Sequence, residues 1–133
     1  MLLNCTNHPY DSWGDAQREA ALRLYGKVVD HPFPKVGPTW DVERVRSEVA
    51  AYADGIESIG PDAVLAAGEF SFLFMLVDRL LADGVEVVSP CSARNTVERL
   101  DENGNNVKTT VFAFEGFRPY ARWSDGGDGT DAR

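Results

Sequence analysis

The sequence predicts one α/β domain of three layers, a mostly parallel sheet with helices on both faces. Three observations carry that expectation. Short apolar runs alternate with longer stretches of helical apolar spacing. Each helical stretch ends at a glycine, Gly26, Gly60 or Gly84, and a short apolar run follows closely. The connections are too short for anything but neighbouring layers, and right-handed crossovers then make the strands parallel. The arrangement is Rossmann-like or flavodoxin-like. It has four mostly parallel strands, three helices and a C-terminal antiparallel β-hairpin in one domain over residues 1–123, followed by a disordered acidic tail over 124–133.

Leu2-Leu3-Asn4-Cys5 is a short buried strand that runs into the polar cluster Thr6-Asn7-His8-Pro9. Asp11 or Ser12 caps the first helix, with Asp15 as the capping-box acid and Trp13, Ala16, Ala20 and Leu24 at helical spacing. Gly26 terminates it. Residues 27–31 form the second strand, ended by Pro32 and Pro34, which cannot donate to a ladder. Thr39 or Asp41 opens the second helix, whose apolar stripe is Val42, Val45, Val49, Tyr52, Ala53 and Ile56, and Gly60-Pro61 stops it. Residues 63–67 are the third strand, and Gly68-Glu69 leads into a helix over 70–82. Residues 85–88 are the fourth strand. After Arg94 the pattern changes: residues 95–100 and 106–117 flank Asp101-Glu102-Asn103-Gly104, whose Asn-Gly pair signals a hairpin turn. From Ser124 onward glycine and aspartate leave nothing to bury.

Composition narrows the partners. With 133 residues, 44% hydrophobic and 26% charged, the chain has the makeup of an ordinary globular domain. A net charge of −8 argues against duplex nucleic acid, whose phosphates need a basic stripe. The longest apolar run, residues 72–77, falls far short of the ~20 residues of a bilayer crossing, so no membrane partner is expected. The opening residues lack the basic start and apolar length of a secretion signal. Cys5 and Cys91 are too few for a disulfide framework, which predicts reduced thiols and a cytoplasmic protein. The two histidines, His8 and His31, have no metal-ligand spacing; neither a metal nor a cofactor is expected.

In an open parallel sheet, ligands bind beyond the carboxyl ends of the strands, near the point where strand order reverses. That rule gathers Thr6, Asn7 and His8 from the first strand; His31, Phe33 and Lys35 from the second; Gly68, Glu69 and Ser71 from the third; and Cys91, Ser92, Arg94 and Asn95 from the fourth. Helix starts near Ser12 and Phe70 would offer free N–H groups to an anionic ligand, and Lys35 and Arg94 would add charge-assisted hydrogen bonds. Glu69 would compete for such donors, and its own role is either to accept from a ribose hydroxyl or to stabilise the helix dipole. His8 is the candidate for proton transfer, with turn capping as the plain alternative. Trp13 and Phe33 either stack on a base or pack in the core. Arg118 either points to the same edge or covers apolar surface with its stem. No P-loop, dinucleotide fingerprint or nucleophile elbow is present, and Cys91-Ser92-Ala93-Arg94 is too short for a cysteine-phosphatase cradle.

Asn7-His8-Pro9, Asp30-His31-Pro32-Phe33-Pro34, Gly68-Glu69-Phe70-Ser71-Phe72 and Phe117-Arg118-Pro119-Tyr120 together resemble, over residues 2–120, a group of small bacterial CRISPR-linked proteins. These are similar to Rossmann-like sensor domains and ring nucleases that bind cyclic oligoadenylate across a symmetric dimer. The resemblance implies a homodimeric nucleotide-binding protein of antiviral signalling. At its most specific it implies a metal-independent ring nuclease, in which a ribose 2′-hydroxyl attacks the adjacent phosphate. His8, Ser92 and Arg94 would then be catalytic, with Asn7, Gly68, Glu69 and Ser71 holding the ligand. A non-catalytic nucleotide sensor and a protein–protein adaptor stay open as alternatives. A flavin-binding flavodoxin relative fits less well, because Thr6-Asn7-His8-Pro9-Tyr10 is a poor match to a flavin phosphate loop.

Overall fold

In a computed structural model, which describes residues 1–126, the chain runs β1 (Leu2–Cys5), α1 (Asp15–Tyr25), β2 (Val28–Asp30), α2 (Val42–Ile59), β3 (Ala63–Ala66), α3 (Phe70–Ala82), β4 (Val87–Leu100) and β5 (Asn106–Pro119). The five strands form one sheet in the order β2-β1-β3-β4-β5. Strands β1 to β4 are parallel and β5 is antiparallel to β4, so the fold is the mostly parallel, Rossmann-like α/β arrangement.

Period-two alternation explains the layers. Leu3 and Cys5 of β1 and Val64 and Ala66 of β3 join Val45, Val49, Ala53 and Ile56 of α2 and Phe72, Leu76 and Leu80 of α3 in one core. Leu2, Ala63, Leu65 and Val88 face the opposite way and pack with Ala20 and Ala21 of α1 and with Phe117. Both sheet faces are therefore covered, as a parallel sheet requires. Asp41 caps α2 by accepting from the Arg44 amide at 2.8 Å, and Gly60 ends it in the left-handed region at φ 68°. The predicted stripe of α2 holds except at its first member, since Val42 is 62% exposed.

Strand ends shift by one or two residues, and two further boundaries differ from expectation in ways that move candidate residues. Residues Tyr10–Ser12 form a single 3-10 turn, and α1 begins only at Asp15 behind Gly14. Ser12 therefore caps no helix; its hydroxyl donates to the Pro9 carbonyl at 2.7 Å. The second difference is larger. β4 does not stop at Val88 but continues without a break to Leu100, pairing with β5 from Val88↔Pro119 to Leu100↔Asn106. Pro90 is tolerated because it stands past Val88, the last β4 residue paired with β3. The hairpin foreseen from Asn103-Gly104 is thus the outer part of β4 and β5, an arm that projects past the sheet edge. Its turn closes between Asp101 and Asn105, with Gly104 at φ 79°. Of the tail expected over 124–133, residues 127–133 lie outside the described residues.

Candidate functional site

The chain passes from β1 through α1 to β2 on one side, then returns across β1 to place β3 on the other. The reversal falls between β1 and β3, so the loops that follow them flank the crevice where this fold class binds ligands. The register Cys5↔Ala66 sets residues 6–8 beside 67–69, and the Ala67 amide donates to the Cys5 carbonyl at 3.4 Å.

The first loop is held from below by a buried amide. Asn4 is buried within β1, where an unsatisfied polar side chain would be costly. Its Nδ2 donates to the His8 carbonyl and to Asp30 Oδ1, both at 2.8 Å, and its Oδ1 accepts from the Thr6 hydroxyl at 2.7 Å. The His8 carbonyl also accepts from Trp13 Nε1 at 2.9 Å, and Asp30 Oδ1 accepts from the Tyr10 amide at 3.0 Å. His8 is therefore fixed through its main chain while the residue itself is exposed at the crevice beside the exposed Asn7. This network went unread in the sequence. The available signal was an asparagine inside the otherwise apolar run Leu2-Leu3-Asn4-Cys5.

The second loop is shaped by packing. A Cβ on Gly68 would lie 2.3 Å from the Phe33 ring, so glycine is what lets that ring close over the β3 exit. Phe33 is buried, with ring centroids 5.2 Å from Phe72 and 6.4 Å from Tyr52. The Tyr52 hydroxyl lies within bonding distance of the His31 carbonyl at 2.9 Å and the Pro32 carbonyl at 3.0 Å, which ties α2 to the β2 exit. Beneath them, burial pushes the Cys5 thiol up to about 11, against a smaller opposing effect of its bond to Tyr52. Burial also raises the Tyr52 hydroxyl. Cys5 is thus a neutral core side chain rather than a nucleophile.

Glu69 spans the N-terminus of α3. Its carboxylate accepts from the Phe72 amide at 2.8 Å, from the Ser71 hydroxyl at 2.7 Å and from the Ser71 amide at 3.0 Å. These bonds, the Phe72 amide foremost, hold its carboxyl below the usual range. Of the two roles expected for Glu69, helix stabilisation is the one seen, and the α3 donors are taken by the chain itself.

The structure therefore places Asn7 and His8 after β1 and Gly68, Glu69 and Ser71 after β3, at the carboxyl ends of neighbouring strands. It does not bring the remaining candidates there in the roles expected. Trp13 and Phe33 are buried packing residues, so the base-stacking alternative fails for both. Ser12 faces its own turn, Lys35 is exposed on the segment after β2, and Arg118 is exposed opposite Ser89 on β5. Cys91, Ser92, Arg94 and Asn95 lie in β4 and not in a loop, because the strand runs on through them. At ~3.3 Å per residue, Arg94 stands roughly 16 Å along the arm beyond Ser89.

A groove of about 700 Å³ opens elsewhere, along α3 between Leu73, Phe74 and Val77 and the segment carrying Tyr120 and Trp123. It does not include His8. Among the described residues no three His, Cys, Asp or Glu side chains gather as a metal site would need, and no helix is long and apolar enough to cross a membrane.

No curated protein matches the chain. A family model does match it over residues 1–118, from β1 through the arm to Arg118. The chain belongs to the Uncharacterized protein MJ1673 family.

Proposed function

We propose that this chain is a cytoplasmic, homodimeric nucleotide-binding protein whose ligand lies between the loops at 6–9 and 67–69. We further propose that it acts as a metal-independent ring nuclease on cyclic oligoadenylate in CRISPR antiviral signalling. The observation that carries the reading is the placement of His8: exposed at the β1/β3 reversal, on a main chain locked by Asn4, Thr6 and Trp13. Preorganisation of that kind suits a group that must meet a ligand without first being ordered. The resemblance of its short motifs to small CRISPR-linked proteins, which are similar to ring nucleases and sensor domains, suggests the ligand class, and two free cysteines fit a reducing compartment.

The chemistry asks little of the protein. His8 accepts the proton of a ribose 2′-hydroxyl as its oxygen forms a bond to the adjacent phosphorus. The bond from phosphorus to the 5′-oxygen breaks, and that oxygen leaves with a proton from solvent. A linear oligonucleotide ending in a 2′,3′-cyclic phosphate results. Asn7 and the Gly68 amide would donate to phosphate oxygens of the bound ligand. Arg94 and Ser92 reach the same ligand only where it is wide enough to extend from the crevice to the arm, which favours a cyclic oligonucleotide over a mononucleotide.

One observation favours a second reading. Within one protomer Arg94 and Ser92 stand apart from His8, so a sensor that binds without cleaving needs fewer groups than the crevice already holds. Incubation with cyclic tetra-adenylate separates the readings. Linear product lost in His8→Ala, with binding retained in calorimetry, supports the nuclease. A thermal shift without product supports the sensor. Neither product nor shift, or full cleavage by both His8→Ala and Arg94→Ala, overturns the site.

A further inference from the structure

Helix α3 is apolar on more sides than its own domain covers. Residues 70–77 are apolar at every position but Ser71, and a helix apolar all round belongs in an interior. One stripe, Phe72, Leu76 and Leu80, is fully buried in the core it shares with the sheet and α2. The other, Phe70, Leu73, Phe74, Val77 and Leu81, has the i, i+3, i+4 spacing of a second contact face and lines the groove opposite the segment after β5. Phe70 is 86% and Phe74 79% exposed, and Trp123 across the groove is fully so. Among the described residues no other large apolar side chains stand so far out.

Size sets this patch apart from a scatter of surface hydrophobics. An aromatic side chain buries about 150–250 Å² when covered, so the three rings alone offer roughly 500 Å². Leu73, Leu81 and Tyr120 are half-buried along the same groove. They take the patch toward the ~800 Å² that each partner gives a standard interface. Apolar area on that scale marks an interaction site.

The charged groups identify the occupant. Among the described residues that line the groove, only Asp78 and Arg122 are charged. Their nearest side-chain atoms stand 3.9 Å apart, too far for a hydrogen bond, while Arg122 Nη2 donates to the Asp78 carbonyl at 3.0 Å. The Asp78 carboxylate is exposed, and Arg122 Nε has no acceptor among the described residues, so both charges keep bonding capacity. A face with one cation beside one carboxylate complements itself after a half-turn, because in an isologous contact residue i meets j while j meets i. A purely apolar ligand, or a partner charged with one sign, answers only part of it. Charges more than ~8 Å away are screened at physiological ionic strength, so this local pair outweighs the net −8 of the chain.

We infer that the Phe70–Phe74–Trp123 face of α3 is the surface through which two copies of this chain associate about a twofold axis. Each Phe74 enters the partner's groove and each Arg122 faces the partner's Asp78. The inference rests on the homodimeric reading above and names its surface. Phe70 directly follows Glu69, so the interface begins where the loop proposed to hold the ligand ends.

Light scattering coupled to size exclusion tests this without any nucleotide. Wild type gives twice the 14.6 kDa chain mass. Phe74→Ser, at an exposed position, weakens the dimer by about tenfold or more. Charge reversal then identifies the second copy. D78R and R122D each set like charges across the interface and run as monomers, yet their equimolar mixture regains the dimer mass, because every contact again joins a cation to a carboxylate. Mixing cannot restore a pair that acts only within one chain. Should either variant not fold, hydrogen exchange of wild type decides: amides of 120–124 gain protection as concentration rises. A dimer indifferent to Phe74→Ser, a mixture of folded variants that stays monomeric, or exchange independent of concentration overturns the surface and leaves the homodimeric reading standing. A wild type that is monomeric throughout overturns both and gives the groove to a small apolar ligand or another protein. A dimer with the expected responses that binds no nucleotide overturns the ligand reading alone.

Discussion

The parallel body and the β4–β5 arm use the same strand-forming residues in opposite circumstances. In β1 and β3 every residue is buried, and each side chain but that of Asn4 lies in one of two cores. In the outer arm the same valines and threonines are wet on both faces. The body is stabilised by burial, the largest favourable contribution to folding. The arm has only its ladder and the turn, where Asp101 Oδ1 accepts from the Asn103 amide at 2.9 Å and the Asn105 amide at 2.8 Å. The contrast teaches that the body is held by burial from both faces of its sheet, while the outer arm rests on its ladder and its turn.

The sharpest way to probe that contrast is to truncate one aromatic in the body. Phe72 is fully buried between Phe33, Tyr52 and the sheet, so Phe72→Ala should cost ~3–5 kcal/mol in urea unfolding. A cost below ~1 kcal/mol would mean that the α2/α3 face is loosely packed and that body and arm are less different than their burial implies.

The body was also the more legible region. The bounds of β1 and α3 follow from composition, because an apolar run of strand length and a helix starting after Gly68-Glu69 admit few other readings. The start of α1 differs because Ser12 and Asp15 imitate a capping box, whereas the Ser12 and Trp13 amides close a 3-10 turn on the Pro9 and Tyr10 carbonyls and Trp13 Nε1 donates to the His8 carbonyl, itself held by Asn4. The arm was hidden because Ser89-Pro90-Cys91-Ser92 has turn composition. Strand propensity there is decided by pairing with β5, which a local window cannot see. For the same reason Arg94 and Ser92 were expected in a loop near His8.

Two substitutions at the crevice come next in size. Gly68→Ala places a methyl against the Phe33 ring, which is itself confined by Phe72 and Tyr52, and should cost ~1–3 kcal/mol by overpacking. Asn4→Ala removes the donor shared by the His8 carbonyl and Asp30 and takes from the Thr6 hydroxyl the shorter of its two acceptors, at ~1–3 kcal/mol. Asn4→Ala should weaken nucleotide binding in calorimetry even at temperatures where the variant is fully folded. Unaltered affinity would detach His8 positioning from the network beneath it.

A smaller effect tests the α3 cap through pH. The Glu69 carboxyl is held low by the Phe72 and Ser71 amides and the Ser71 hydroxyl. A depressed folded-state value gives stability that is present above the unfolded carboxylate range and is lost as pH falls through the folded value. Glu69→Ala should therefore melt a few degrees lower than wild type near neutral pH, with the two melting curves converging in acid. A gap that is constant with pH would show that the cap acts through packing of Ser71 rather than through charge.

The smallest effect is expected from the largest side chain of the arm. Phe112 is 68% exposed and shares its row with Arg94. Truncating it removes little buried area, so Phe112→Ala should shift unfolding by less than ~0.5 kcal/mol. Its contrast with Phe72→Ala is deliberate: the same chemistry, differing only in what surrounds the ring. A loss above ~1 kcal/mol would show that the Phe112 ring is packed against something rather than exposed.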